Sequence, residues 1–388
     1  MSAMLKVDEL LREARERTGL ADFGPDDFRD GLTALVHGLN TDARISASRL
    51  PALRERLLRL LMNRLWFARD LAAHPEIRDE DLGVPTVISS LPRTASTKLH
   101  RMLGASEDFQ TPRPWQVHMF ARIPGEADGG RARRVQETRA YEKWIYEVSP
   151  EMLHGHPVFT DEPEEDMMLS EHSFRAPFLC GIFDSDHYVQ WLMQADLQPM
   201  YDYLKLQLQY LQWQEGDRPR RPWLLKTPVH FGNEHWLVKL FGQARFVVTH
   251  RDPARCIPSI ASTTLGWRKL YSETPDSGRS GDSMIGMFAY AASEHLRWRE
   301  ANPQVEILDL AFDEITRDGA SAARKVYDFL GLPLSAHAVS AMRDWERRNG
   351  QDKHGTHRYS ADEVGLSQTA INEAFAPYKT RFAEWIGR

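Results

Sequence analysis

Residues 84–103 read VPTVISSLPRTASTKLHRML. The run from Val84 to Ser90 is short and β-branched, as expected of a buried strand. Leu91 to Ser96 follow as a loop, and Thr97 to Leu103 have helical spacing. A strand, a loop and a helix in that order present free backbone N–H groups and a partial positive charge, which suit a phosphate or sulfate. Ser96 and Thr97 add hydroxyl donors, and Arg93 adds a permanent charge with a planar fork. The pattern GxxxxGK[ST] is absent, which argues against a nucleoside triphosphatase of that type. Taken alone, the loop also reads as a helix start capped by Ser96 or Thr97.

Further short apolar runs lie downstream. Trp223 to Leu225 lead into Lys226, and Ala244 to Thr249 lead into His250-Arg251-Asp252-Pro253. Residues 230–241 between them read as a helix, and Val305 to Leu308 as a fourth strand. Strands alternating with helices predict an α/β fold, a P-loop-like parallel sheet with helices on both faces. Ligands of such sheets sit beyond the carboxyl ends of the strands. Upstream, residues 4–72 are helical, with leucines at helical spacing from Ala47 to Leu71. We expect a single domain over 1–388, with a helical addition over 1–80, a nucleotide-binding core over 84–331, and C-terminal helices with a closing loop over 335–388. Residues 124–134 and 272–282 read as polar surface loops, the second a candidate lid.

Composition narrows the class. A balance of 42% hydrophobic and 27% charged residues is that of a globular protein with a sizeable core. The net charge of −6 argues against nonspecific nucleic-acid binding. Two cysteines, Cys180 and Cys256, cannot build a disulfide framework, and no apolar run reaches the length of a membrane span. A cytoplasmic location is expected. No metal is expected either, because the histidines, including His154 and His156, show no Cys or carboxylate partners at metal spacing.

Arg251 and Ser259 are eight positions apart, the first at a strand end and the second in the helix that follows. A guanidinium and a hydroxyl so placed can converge on one phosphate. With the loop at 91–97, this spacing resembles the sulfotransferase family. The loop is closest to a bacterial branch reading PRTGTT followed by an apolar residue, Leu, His and Arg. The resemblance implies a 5′-phosphosulfate loop of Arg93, Thr94, Ala95, Ser96, Thr97 and Lys98, and a 3′-phosphate site at Arg251 and Ser259. It implies as co-substrate 3′-phosphoadenosine 5′-phosphosulfate (PAPS), with adenosine 3′,5′-bisphosphate as product and no metal requirement. Two positions depart from the family. Ala95 stands where Gly is usual, so a positive φ there costs strain. Lys98 stands where cytosolic relatives stack a Trp on adenine. Near the C-terminus, Lys353, His354, His357 and Arg358 resemble the family's basic loop over the 3′-phosphate, with Tyr359, Gly365 and Leu366 completing an HxY…GL pattern.

Sulfuryl transfer needs a cation at the leaving oxygen and a base for the acceptor. Lys226, at a strand end, resembles the family's catalytic lysine, with Arg93 sharing that work. For the base, His230 lies four residues on, whereas cytosolic relatives place their His two residues after the lysine. Glu164 and Glu165, within DEPEED at 161–166, are the rival, unless Pro163 simply starts a helix there. His100 reads as structural, packed behind the loop. Aromatic and Met residues at 112–120 and 174–193 can line a pocket for a small, apolar hydroxyl acceptor, though helix packing explains them equally. Family members are often homodimers, but no segment here marks an interface. Two other readings remain: a P-loop-type phosphotransferase, and a noncatalytic nucleotide-binding relative.

Overall fold

The computed structural model describes residues 4–350 and 364–387. Four strands, β1 (Thr86–Ile88), β2 (Leu224–Lys226), β3 (Arg245–His250) and β4 (Ile307–Ala311), form one parallel sheet in the order β2-β1-β3-β4. Central β1 pairs Val87 with Leu225 on one side and with Phe246 on the other. Each connection between parallel strands needs a crossover, and helices supply it.

The helices that frame the sheet and site include α1 (Val7–Thr18), α2 (Phe28–Thr41), α3 (Leu50–Ala73), α4 (Ser96–Ala105), α5 (Arg131–Val148), α6 (Gln198–Gln214), α7 (Glu234–Phe241), α8 (Pro253–Lys269), α9 (Ser277–Ala301), α10 (Gly319–Leu330) and α11 (Ala336–Arg348). Alternating strand residues address opposite faces. Val87, Leu225 and Phe246 pack into the core that holds α1, α2, α3, α6 and α7. Ile88, Leu224, Val247 and Leu310 pack against α4, α10 and α11. Both faces are therefore covered, as a parallel sheet requires. Val248, near the end of β3, joins a third cluster with α8, α9 and the C-terminal helices.

Several boundaries differ from the sequence reading. The helix expected from residue 230 starts at Glu234, because Pro228–His230 forms a separate 3₁₀ turn and Gly232 follows at φ +81°. A Cβ at Gly232 would lie 2.6 Å from the carbonyl oxygen of Ala291, so only glycine fits there. The fourth strand runs to Ala311, past the expected Leu308. Part of the expected loop at 272–282 is helix, since α9 begins at Ser277. Among the described residues, no helix is long and apolar enough to cross a membrane.

Candidate active site

The loop after β1 turns sharply. Arg93 and Ala95 both adopt left-handed backbone, at φ +68° and +66°. Between them Thr94 is fully buried, with its hydroxyl 2.6 Å from that of Thr249 and donating to the Leu91 carbonyl. This anchor inverts the chain so that α4 starts at the cavity. The cap at that start is Ala95 in its left-handed conformation, not the side chain of Ser96 or Thr97. Arg93, Ala95, Ser96 and Thr97 line a cavity of about 560 Å³ at the carboxyl edge of the sheet. Two of the expected residues, Thr94 and Lys98, do not line it. The Thr94 hydroxyl is used within the fold, and Lys98 turns outward to Glu346 at 2.6 Å and the Thr316 carbonyl.

β3 delivers Arg251 to the same cavity, and α8 delivers Ser259. Asp252 caps α8 by accepting from the Ala254 N–H, and its ion pair is with Lys379 at 3.2 Å. Arg251 donates to the Arg93 carbonyl at 3.1 Å, and its guanidinium lies 3.9 Å from the ring centre of Phe312. Arg93 donates to Ser259 Oγ at 3.0 Å and to the Gly155 carbonyl. Arg93, Arg251 and Ser259 thus form one basic wall.

Lys226 closes β2 and is buried. Its Nζ donates to Thr97 Oγ1 at 2.8 Å and pairs with the Glu165 carboxylate. The three consecutive acids are divided among different partners. Glu165 lines the cavity and holds Lys226. Asp166 accepts the Lys226 backbone N–H at 2.9 Å, with its other oxygen 2.7 Å from His230 Nε2. Glu164 lies 3.2 Å from His156 Nε2 and 3.8 Å from Arg101. Burial pushes the Glu164 carboxyl upward, but His156 and Arg101 outweigh it and hold its pKa at about 2. The Asp166 carboxyl is held below its ordinary range by His230 and hydrogen bonding, against the opposing effect of burial. Pro163 does not start a helix: the next one begins at Met167.

His230 is buried, engaged by Asp166 and 3.4 Å from the Tyr201 hydroxyl, and it does not line the cavity. The 3₁₀ turn at Pro228–His230 precedes α7, and the ring of this candidate base is set back from the cavity lining. His100 sits behind α4, near the Leu224 carbonyl; burial, with Lys226 nearby, lowers its pKa to about 3.

The absence of carboxylate partners expected for the histidines also needs correction. Donor atoms of His156, Glu164 and Glu165 lie within 4.8 Å of one another. Arg101 and Lys226 already face these carboxylates, so a divalent ion would meet cations.

The apolar wall comes largely from elements the sequence reading passed over. Thr263 and Trp267 continue the Ser259 stripe of α8, and α9 adds Met284, Met287, Phe288 and Ala291. Those intervals follow the helical repeat and were the available signal. Of the aromatics expected between 174 and 193, Phe178 lines the cavity; Phe174, Phe183 and Tyr188 are core, and Met193 is exposed. Trp115, Val117, Met119 and Phe120 are also core. Lys353, His354, His357 and Arg358 lie outside the described residues.

A parallel sheet with a helix-start anion loop, a second basic motif and a buried strand-end lysine defines a group-transfer enzyme of the sulfotransferase type. Residues 85–336 match the model of the sulfotransferase family. The chain belongs to that family and is a sulfotransferase enzyme. It is similar to the crystal structure of sulfotransferase STF9 from Mycobacterium avium, at 25% identity and TM-score 0.84, covering 98% of each chain. It also shares its fold with sulfotransferase STF1 from Mycobacterium tuberculosis, at 24% identity and TM-score 0.77, covering 97% of this chain and 100% of the other. No curated protein sequence matches the chain.

Proposed function

We propose that this enzyme moves a sulfuryl group from PAPS to a hydroxyl of a small, largely apolar acceptor. The observation that carries this reading is Lys226, whose buried Nζ touches both Thr97 of the phosphate loop and Glu165 of the cavity wall. A cation between helix-start donors and a carboxylate suits in-line transfer, where positioning and electrostatics supply most of the rate.

The roles follow from placement. The α4 start with Ser96 and Thr97 suits the phosphosulfate end of the donor, and Arg251 with Ser259 suits the 3′-phosphate. Phe312, against Arg251, offers the aromatic face that Lys98 does not. PAPS when bound supplies the transferable group, whose bond to the 5′-phosphate breaks as one to the acceptor oxygen forms. Lys226, assisted by Arg93, stabilises charge on the leaving oxygen. Glu165 receives the acceptor's proton, since it faces the cavity and His230 does not. His230 is a positioning residue, holding Asp166, which in turn fixes the Lys226 backbone. Phe178, Trp267, Met284 and Phe288 favour an apolar acceptor.

Calorimetric titration with adenosine 3′,5′-bisphosphate, beside ATP with Mg²⁺, tests the reading. Preferential binding of the bisphosphate, lost in Arg251→Ala, is expected. A preference for ATP would replace the donor with a nucleoside triphosphate.

A further inference from the structure

Behind the transfer cavity, α3 and α5 line a second cleft of about 640 Å³. Tyr271, four residues past Trp267 of the first cavity, lines this second one. Its wall carries a stacked row of rings: His118 lies 4.4 Å from Tyr141 at 21°, and Tyr141 lies 5.8 Å from Trp144 at 25°. Burial, with Arg59 beside it, holds the His118 pKa well below its ordinary value, so the ring contributes a neutral face.

The charges of the cleft are paired, with one exception. Buried Arg56 meets Glu171 at 2.7 Å and donates to the Tyr141 and Tyr271 hydroxyls, while its Nε has no partner. At the rim, Arg17 holds Glu13 and Glu55, and Arg133 holds Glu126 and Glu137. The Arg59 side chain, three residues after that of Arg56, has one hydrogen bond among the described residues, from Nη1 to the His118 carbonyl, and forms no ion pair there. Burial, and the neighbouring Arg56, push its pKa down against the opposing pull of Glu171. A partly exposed guanidinium with no direct counter-charge is open to an anion from solution, and its planar fork suits a carboxylate or a sulfate. A stacked aromatic row beside that fork favours a flat ring on the same molecule.

We propose that the cleft between α3 and α5 is a second ligand site, distinct from the transfer cavity, for a small planar aromatic anion bound through Arg59 and the His118–Tyr141–Trp144 row. A ring carboxylate and a ring sulfate ester share this chemistry. The site does not depend on the identity of the sulfuryl donor.

The test is calorimetric titration of the full chain with 2-naphthoate and with 2-naphthyl sulfate, alongside the neutral 2-naphthamide. Binding of at least one anion, at least tenfold tighter than the amide, is expected; the tighter of the two identifies the natural source as carboxylate or sulfate ester. Arg59→Gln should weaken that anion at least tenfold, Arg59→Lys should recover part of the loss, and Phe178→Ala in the first cavity should leave it unchanged. The basic wall of the first cavity would also prefer an anion, so where Arg59→Gln fails to fold, it is anion binding that survives Phe178→Ala that assigns the ligand to this cleft. Anion and amide binding equally well would overturn the proposal. So would the absence of anion binding, or binding lost in Phe178→Ala but kept in Arg59→Gln.

Discussion

Arg93 Nε donates a hydrogen bond to Ser259 Oγ at 3.0 Å, joining the loop after β1 to the helix after β3 across 166 positions of chain. Arg251 adds a second tie by donating to the Arg93 carbonyl. The two anion-binding segments are thus one hydrogen-bonded unit, and residues in one network do not contribute additively. We predict that Arg93→Ala and Ser259→Ala each weaken bisphosphate binding. The double variant should depart from the sum of the two by about 1 kcal/mol. A thermodynamic cycle measured by calorimetry checks this, and strict additivity would show that the contact does not matter to binding.

Ala95 at φ +66° occupies a conformation that costs an L-residue about 1–2 kcal/mol. Replacement by glycine removes that strain but adds chain entropy to the unfolded state, about 0.5–1 kcal/mol. Ala95→Gly should therefore stabilise the protein by roughly 0.5–1 kcal/mol, from the difference of those terms. Ala95→Val should destabilise it, because a β-branched side chain tolerates this region worst. Chemical denaturation of the three proteins decides the matter; a glycine variant less stable than the parent would place the strain elsewhere.

The core of the fold was legible because its signals are local. The β-branched run at 84–90, the loop at 91–96 and the spacing of Arg251 from Ser259 each need only a few neighbouring residues to read. The side-chain partnerships were not. Lys226 meets Glu165 from 61 positions away, and which of three adjacent acids it meets depends on how the 161–166 loop crosses the sheet end. Likewise, nothing near Lys98 in sequence announces Glu346, the partner that draws it out of the cavity. His230 shows the same limit: its chemistry suits a base, but only the fold shows that the 3₁₀ turn sends its ring to Asp166 and Tyr201.

That difference between Glu165 and His230 can be measured. Glu165→Gln removes the proton acceptor while keeping the shape, so kcat should fall by about 10²–10⁴-fold. Bisphosphate affinity should stay within a few-fold. His230→Gln acts on Asp166 and should chiefly lower stability, by about 1–3 kcal/mol for a buried acceptor left without its partner. Steady-state kinetics beside denaturation curves separate the two. If His230→Gln loses as much kcat as Glu165→Gln at unchanged stability, the histidine is the base.

Acid should unfold the protein through buried groups that resist protonation. Glu164 falls from its ordinary 4.5 to about 2, and its contribution is present above pH 4.5 and lost as pH drops toward 2. The shift corresponds to roughly 3–4 kcal/mol as an upper bound, at about 1.4 kcal/mol per pKa unit. His100 falls from 6.5 to about 3, held neutral by burial, so the unfolded chain binds a proton that the folded one refuses over that window. Both effects make stability rise with pH, because the unfolded state binds more protons. We predict that urea midpoints decline as pH falls from 6.5 toward 3. His100→Gln should flatten the upper part of that decline, and Glu164→Gln the part below 4.5. Midpoints that fall equally steeply in the His100→Gln protein would assign the upper limb to other groups.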